Sequence, residues 1–119
     1  MISRVAQGST AENLACQYLE TRGLVLVARN VRYRGGELDL IMREGETLVF
    51  VEVRSRRQST YGTPAETVTP TKQQRLIHAA SLYLQRQALD PPCRFDVVAI
   101  LQDGSAPRID WIRNAFQLN

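Results

Sequence analysis

The segment from Gly35 to Arg57 constrains the fold of this chain most strongly, because it has the pattern of a β-hairpin. It reads GGELDLIMREGETLVFVEVRSRR and contains two apolar, alternating arms, residues 37–43 and residues 47–54. The pair Glu44-Gly45 between them is charged and contains glycine, which is typical of a tight turn. The segment therefore predicts two adjacent antiparallel strands.

The turn decides which side chains meet across this hairpin. With Glu44 and Gly45 as the two loop residues, Glu37 is expected opposite Glu52 and Asp39 opposite Phe50. Residues that lie opposite each other share a face of the sheet. One face is then apolar except for Thr47, as a buried face requires, and comprises Leu38, Leu40, Met42, Val49, Val51 and Val53. The other face is expected to gather four charged side chains at one end, namely Glu37, Asp39, Glu52 and Arg54.

Three carboxylates at one end of apolar strands are a conflict that the fold has to relieve. Like charges that lie opposite each other destabilise a sheet, and a bound divalent cation would remove the repulsion. Oxygen ligands alone favour Mg²⁺ or Mn²⁺ over zinc, since hard cations prefer carboxylate, carbonyl and water. Arg54 adds a fixed positive charge on the same face. The alternative is a solvated hairpin end at which the acids pair with neighbouring arginines.

Composition indicates a soluble globular chain. Its 119 residues are 44% apolar and 23% charged, and they predict one domain over residues 1–119. No apolar run approaches the ~20 residues of a membrane span, and the N-terminus lacks the apolar core of a signal peptide, so a cytoplasmic protein without a membrane partner is expected. Cys16 and Cys93 have no CxxC spacing and no nearby histidine, which argues against a zinc site or a disulfide framework.

Basic residues favour a polyanion as partner. The net charge is +3, the pI is about 9.2, and all fifteen basic residues except Lys72 are arginine, whose fork suits phosphate oxygens. Genomic base composition is an alternative reason for so many arginines. The candidate contacts to a nucleic-acid backbone lie before the hairpin, after its second arm and at the start of a predicted helix; they are Arg32, Arg34, Arg56, Arg57, Lys72 and Arg75.

Two helices are predicted on either side of the hairpin. Ser9 and Glu12 have the spacing of a capping box, which predicts a helix from there to about Arg22. Glu12 has that structural role as an alternative, but it could also reach the acidic end of the hairpin. Thr69 followed by Pro70 predicts the cap of a second helix that ends near residue 88.

The remaining apolar runs predict three further strands. They are residues 24–29, which precede a connection over 30–36, and residues 94–101 and 108–113, which form a final hairpin. Asp96 and Asp110 have no acidic partner at close spacing and are predicted to be pairing or capping groups, while Trp111 and Phe116 are predicted core anchors. The fold class is therefore α/β, in the order α-β-β-β-α-β-β, with a mixed central sheet of about five strands flanked by helices.

One pattern resembles a nuclease signature. Asp39 and, thirteen positions later, Glu52-Val53-Arg54 resemble the PD-(D/E)XK motif of restriction-endonuclease-like enzymes. More specifically, the stretches GGELDLIMREG, TLVFVEVRSRR, YGTPAETVTPTKQQRL and CRFDVVAI together resemble the YraN family of bacterial proteins, from Gly8 almost to the C-terminus. That resemblance implies a restriction-endonuclease-like fold, similar to archaeal Holliday-junction resolvases, and predicted nuclease activity.

The resemblance also implies roles for individual residues. Asp39 and Glu52 would be metal carboxylates, and the carbonyl of Val53 a further ligand. Glu12 matches the first-helix glutamate of such enzymes, and Glu37, from the family's Gly-Glu-x-Asp motif, would be an alternative or supporting ligand. The sequence departs from the general signature at two positions, where Leu38 replaces proline and Arg54 replaces lysine. Arginine stays protonated, so this catalytic position could stabilise charge but could not act as a general base.

The expected function is therefore Mg²⁺- or Mn²⁺-dependent hydrolysis of phosphodiester bonds in DNA, including branched or structured DNA. The metal held by Asp39 and Glu52 would activate water, and Arg54 and Lys72 would clamp the phosphate. Resolvase-type action would require a two-fold homodimer. The main alternative is a non-catalytic nucleic-acid-binding module that keeps the nuclease fold, and a third class is a protein-interaction domain whose acids are merely solvated.

Overall fold

The computed structural model describes residues 4–56, 68–102 and 106–117. These residues form a single α/β domain with two helices and five strands, in the predicted order α-β-β-β-α-β-β. The elements are α1 (Arg4–Thr21), β1 (Val25–Tyr33), β2 (Gly36–Glu44), β3 (Thr47–Arg56), α2 (Pro70–Arg86), β4 (Cys93–Gln102) and β5 (Pro107–Phe116). In this part of the chain, neither helix is long and apolar enough to cross a membrane.

The sheet is mixed, as predicted, and its strand order is β1-β2-β3-β4-β5. Strands β1, β2 and β3 form an antiparallel meander, and β4 and β5 form a second antiparallel pair. Strands β3 and β4 are parallel, which requires a crossover between them, and α2 lies in that connection. The hairpin with the acidic residues therefore lies inside the sheet, with β1 on one side and β4 on the other.

Each face of the sheet is covered by one helix. The core under α1 includes Ala15 and Leu19 of the helix with Leu40, Met42, Val49 and Val51 of the hairpin. The core under α2 includes Leu76 and Tyr83 with Ile41, Phe50 and Phe95. The predicted apolar face is thus confirmed for most of its members. It is wrong for Leu38, which packs in the core under α2, whereas Leu40 packs in the core under α1.

The predicted register of the hairpin is wrong by two positions in the pairing. The two turn residues are Gly45 and Glu46, so Glu44 pairs with Thr47 and Ile41, rather than Asp39, pairs with Phe50. Gly45 has a φ of +59°, and a positive φ at the first turn position is the condition that favours glycine there. The glycine therefore starts the turn instead of ending it, and Asp39 moves along the ladder toward the level of Glu52.

The helix starts were predicted with mixed success. Helix α1 begins at Arg4, so the prediction of a helix capped by Ser9 is wrong; serine and threonine are tolerated within a helix when its apolar stripe packs on a sheet. The cap of α2 is confirmed. The Thr69 side chain accepts a hydrogen bond from the backbone N–H of Lys72 at 3.3 Å, and Pro70 occupies the first turn.

Strand β1 is longer than predicted. Residues 30–33, expected in a connection, pair with β2, with Val31 opposite Leu38 and Tyr33 opposite Gly36. The strand extends this far because the backbone groups of β2 form hydrogen bonds with it along its length. A pairing partner of this kind cannot be recognised from the local sequence. The connection shrinks to the turn at Arg34-Gly35, where Gly35 has a φ of +93°.

Asp96 on β4 is a buried carboxylate that forms an ion pair and several hydrogen bonds away from the acidic end of the hairpin. Its side chain is completely buried and accepts hydrogen bonds from Arg94 Nε at 3.0 Å, Trp111 Nε1 at 2.9 Å and the backbone N–H of Asn114 at 2.9 Å. Glu44 accepts from Arg94 and Arg113, each at 2.7 Å, and these bonds hold the pKa of Glu44 at about 2. The network joins β2, β4 and β5. Asp110, by contrast, pairs with exposed Arg108 at 3.3 Å.

Candidate functional site

A cleft of about 690 Å³ opens between the start of α2, the β1–β2 turn and the adjacent ends of β2 and β3. The predicted site residues that line it are Arg32, Glu37, Asp39, Glu52, Val53, Lys72 and Arg75. Glu12, Arg34, Arg54 and Arg56 are not among its lining residues, and Arg57 lies outside the described residues. One wall of the cleft is therefore acidic and comes from the sheet, and the other is basic and comes from α2.

The acidic wall forms where β2 and β3 part. Their ladder ends with Leu40 opposite Val51, while β3 continues beside β4 with Glu52 next to Val97. Beyond that point the Asp39 carboxylate accepts a hydrogen bond from the backbone N–H of Val53 at 2.9 Å. A side chain thus takes the place of a strand partner for this N–H, and the space that opens between the strands holds the carboxylates.

Asp39 and Glu52 form the electrostatic centre of the cleft. Their carboxyl groups lie close together, and burial, followed by the negative charge of Glu52, raises the pKa of Asp39 to about 7. The Val53 N–H opposes that rise but does not cancel it. Two carboxyl groups in contact cannot both carry a bare charge at low cost, so the pair needs either a shared proton or a bound cation.

The other two predicted acids approach this pair without joining it. Glu12 reaches it from α1: burial and the charge of Asp39 raise the pKa of Glu12, and its Oε1 lies 3.9 Å from Arg29 Nη2. That oxygen is buried and has no hydrogen-bond partner among the described residues. Glu37 lines the cleft and pairs with Arg32 at 3.4 Å, both side chains being more than half exposed.

The donor set fits a hard divalent cation that keeps several waters. In residues 4–56, 68–102 and 106–117, no group of three or more His, Cys, Asp or Glu side chains could by itself hold a metal ion. The structure therefore does not bring Glu12, Glu37, Asp39 and Glu52 into one cage. It brings together Asp39 and Glu52, with Val53 beside them. One or two carboxylates completed by water and substrate oxygens is the way Mg²⁺ is usually held.

The basic wall consists of Lys72 and Arg75 on the first turns of α2. Both side chains are exposed, both line the cleft, and neither forms an ion pair with a residue that the structure describes. The N-terminus of a helix adds a partial positive charge of its own. Arg54 lies close to the acidic pair, with Nη1 3.9 Å from Glu52 Oε2, and is partly buried. Arg34 is exposed in the β1–β2 turn, and Arg56 is half-buried on β3.

Gly36 fixes how closely the two walls approach, a role that sequence reasoning missed. A Cβ atom at this position would overlap the backbone carbonyl oxygen of Arg75 and lie 3.3 Å from Ala79 Cβ. Only glycine therefore lets α2 pack this tightly on the start of β2. The adjacent pair Gly35-Gly36 was the available signal, since it meets two separate needs, a positive φ in the turn and a close helix contact.

Comparison with known proteins identifies one family of similar sequences over most of the chain. The model of the uncharacterised protein family UPF0102 matches residues 11–100. A UPF0102 protein of Nitrosococcus oceani is 52% identical over 114 residues, covering 94% of this chain and 92% of the relative. UPF0102 proteins of Herminiimonas arsenicoxydans and Vibrio cholerae are 48% and 52% identical, covering 97% and 92% of this chain and 90% of each relative. These names state no activity.

Proposed function

This chain belongs to the UPF0102 family, as its resemblance to YraN proteins predicts, and we propose that it is a metal-dependent nuclease that hydrolyses phosphodiester bonds of DNA. The observation that carries the proposal is the contact between the Asp39 and Glu52 carboxyl groups in a cleft whose opposite wall carries Lys72 and Arg75. A phosphodiester is an anion that needs both a cation at its reacting oxygen and positive charge along its backbone. The cleft offers a place for each.

The acidic residues would hold the cofactor. Asp39 and Glu52 would hold Mg²⁺ or Mn²⁺, and the Val53 carbonyl, the third predicted ligand, is adjacent. When bound, such an ion polarises a phosphate oxygen and lowers the pKa of a water molecule. The Val53 N–H holds the Asp39 carboxylate in place by a 2.9 Å hydrogen bond, which leaves its remaining lone pairs for the ion.

The basic residues would bind the phosphate and stabilise developing charge. Lys72 and Arg75 face the acidic pair across the cleft and would orient the scissile phosphate. Arg54 adjoins Glu52 and, because a guanidinium carries a fixed positive charge, it would serve as a charge stabiliser and not as a base. Arg32 and Arg34 flank the cleft and would contact neighbouring phosphates, as would Arg56 further along β3 and Arg57, which lies outside the described residues.

The deciding experiment is a cleavage assay with purified protein on branched, nicked and single-stranded DNA, with and without Mg²⁺ or Mn²⁺. We expect cleavage only with metal, and none by the variant that combines Asp39→Ala with Glu52→Ala. The double variant should still bind the same DNA, because its basic wall is intact. Cleavage that persists in the double variant, or that is unaffected by chelation, would rule out the proposal.

A non-catalytic DNA-binding module is the second candidate, and the Arg54 position favours it because the usual lysine of the signature is replaced. In that case DNA binding is expected with no cleavage under any metal condition. Binding that is unchanged by EDTA, together with intact substrate after long incubation, would identify this function. Absence of both DNA binding and metal-induced thermal stabilisation would instead point to a protein-interaction domain.

Lys72→Ala and Arg75→Ala are each expected to weaken DNA binding uniformly across sequences. Each removes one phosphate contact, so the slope of log K against log salt should fall by about one. The matched control is Arg43→Ala, since Arg43 is exposed on β2 next to the hairpin turn and does not line the cleft. Fluorescence anisotropy at several salt concentrations measures the slopes. Equal slopes for all three variants would show that α2 does not contact the backbone.

A further inference from the structure

Strands β1 and β2 both change the face that their side chains present at one level of the sheet, which is the level of Asp39 in the candidate site. Residues two apart on a regular strand share a face of the sheet. On β2, however, Leu40 packs in the core under α1 and Leu38 in the core under α2. On β1, Arg29 approaches Glu12 of α1, whereas Val31 packs against the core under α2. Each strand therefore changes face across a single residue.

The residues at that crossing are Asn30 and Asp39. Arg29 pairs with Leu40 and Val31 pairs with Leu38, so Asn30 and Asp39 both lie between these two pairs. Asn30 has a φ of +52°, a left-handed conformation that asparagine tolerates better than other non-glycine residues. Asn30, the left-handed residue of β1, thus lies at the level where β2 changes the face that its side chains present.

The turnover makes Asp39 accessible from both faces of the sheet. From one side Glu12 of α1 comes close enough for the charge of Asp39 to raise the pKa of Glu12, and from the other the Glu52 carboxylate adjoins Asp39 in the cleft. The Asn30 side chain also approaches the Glu12 carboxylate and opposes the rise of the Glu12 pKa. On a regular strand Asp39 would meet the side chains of one face only.

We propose that Asn30 is a positioning residue of the candidate site: its left-handed backbone turns β1 and β2 over together, which places the Asp39 carboxylate against the Val53 N–H and beside Glu52. Its amide adds a contact to Glu12 that glycine could not make. The proposal concerns how the acidic wall is built and extends the proposed function, on which its link to metal binding rests. Its structural part is independent of any metal.

The test uses backbone-matched variants at two positions. Asn114 on β5 is also exposed and has the same φ of +52°, but it adjoins Asp96 at the other end of the sheet. Asn30→Val and Asn114→Val therefore introduce the same backbone strain inside and outside the site, and Asn30→Gly restores the free backbone. The rate of amide hydrogen exchange at Val53, measured without metal, reports whether the hydrogen bond to Asp39 is intact. Mn²⁺ titration measures the metal affinity of the candidate site.

We expect Val53 exchange to be about tenfold faster in Asn30→Val than in Asn114→Val at matched global stability, and to return to the wild-type rate in Asn30→Gly. Mn²⁺ affinity should fall about tenfold in Asn30→Val alone. Equal Val53 exchange in the two valine variants, or loss of protection in Asn30→Gly, would overturn the positioning role. Absence of Mn²⁺ binding by the wild-type protein would overturn the proposed function but not the exchange result.

Discussion

Asp39→Asn is expected to make the protein more stable at pH 8 while abolishing Mn²⁺ binding and metal-dependent cleavage. Asparagine removes the negative charge of Asp39, which burial and the nearby Glu52 carboxylate make unfavourable. Its side-chain carbonyl oxygen can still accept the hydrogen bond from the Val53 N–H. A shift from 3.8 to about 7 corresponds to at most about 4 kcal/mol at high pH. Burying a charged carboxylate lowers the stability of the fold but provides a ligand for a metal, so a substitution that raises stability here is expected to remove function.

The pH dependence of unfolding provides the readout for this change. Between pH 3.8 and about 7, the unfolded chain releases the Asp39 proton while the folded protein keeps it, so wild-type stability falls as the pH rises through this window. Above pH 7 the loss is complete, and below pH 3.8 it vanishes. Urea unfolding of wild-type and Asp39→Asn protein, followed from pH 4 to pH 8, should therefore give curves that diverge with increasing pH.

Glu37→Gln is the control for the Asp39 prediction. Glu37 lines the same cleft, but its side chain is 59% exposed, so its replacement should change the free energy of unfolding by less than about 0.5 kcal/mol. Added Mn²⁺ should raise the melting temperature of wild-type and Glu37→Gln protein and leave that of Asp39→Asn unchanged. An Asp39→Asn variant less stable than wild type at pH 8 would contradict the account of the acidic pair.

Asp96→Ala is expected to destabilise the protein by about 3–5 kcal/mol, because it breaks a buried ion pair and leaves Arg94 with Glu44 as its remaining carboxylate partner. It also removes the acceptor for Trp111 Nε1 and for the Asn114 N–H. Since single domains are only marginally stable, this variant has a large unfolded population. Asp96→Asn keeps one oxygen acceptor and should give a smaller loss that urea unfolding can measure.

Asp110→Asn is the matched control for Asp96. It removes an aspartate from the neighbouring strand whose partner, Arg108, is 74% exposed, and exposed ion pairs contribute about 0–1 kcal/mol. Chemical denaturation of Asp96→Asn and Asp110→Asn side by side therefore separates a buried network from a surface pair. Equal free energies of unfolding for the two variants would show that the Asp96 network does not stabilise the sheet.

Much of the architecture could be predicted because it depends on local patterns. The alternation in the hairpin and the Thr69 cap are both encoded within a few residues. The hairpin register could not be read with the same certainty, since Glu44-Gly45 and Gly45-Glu46 are both plausible turns. The observed pairing of Glu44 with Thr47 places Gly45 at the first turn position, where its φ is +59°.

The candidate site was harder to predict than the fold that carries it. The hairpin pattern groups Asp39 and Glu52 with Glu37, and the family resemblance singles out those two as predicted metal ligands. Their close approach in the structure arises from features that depend on distant parts of the chain: the divergence of β2 from β3, the Val53 N–H and the face change at Asn30. Alternation assumes a regular strand, and the strand is irregular at Asp39. The site therefore occurs where the local rule fails, as is common for functional residues.

The parallel pairing of β3 with β4 has a consequence for the order in which the two walls of the cleft can assemble. The acidic wall belongs to β2 and β3, which are joined by a two-residue turn. The contacts that form this wall therefore join residues that are close in the sequence. The basic wall depends on docking of α2, whose crossover can be completed only when β4 joins the sheet. Because short loops close first, carboxylates are expected to come together before the cations that face them, and the final docking of α2 completes the cleft.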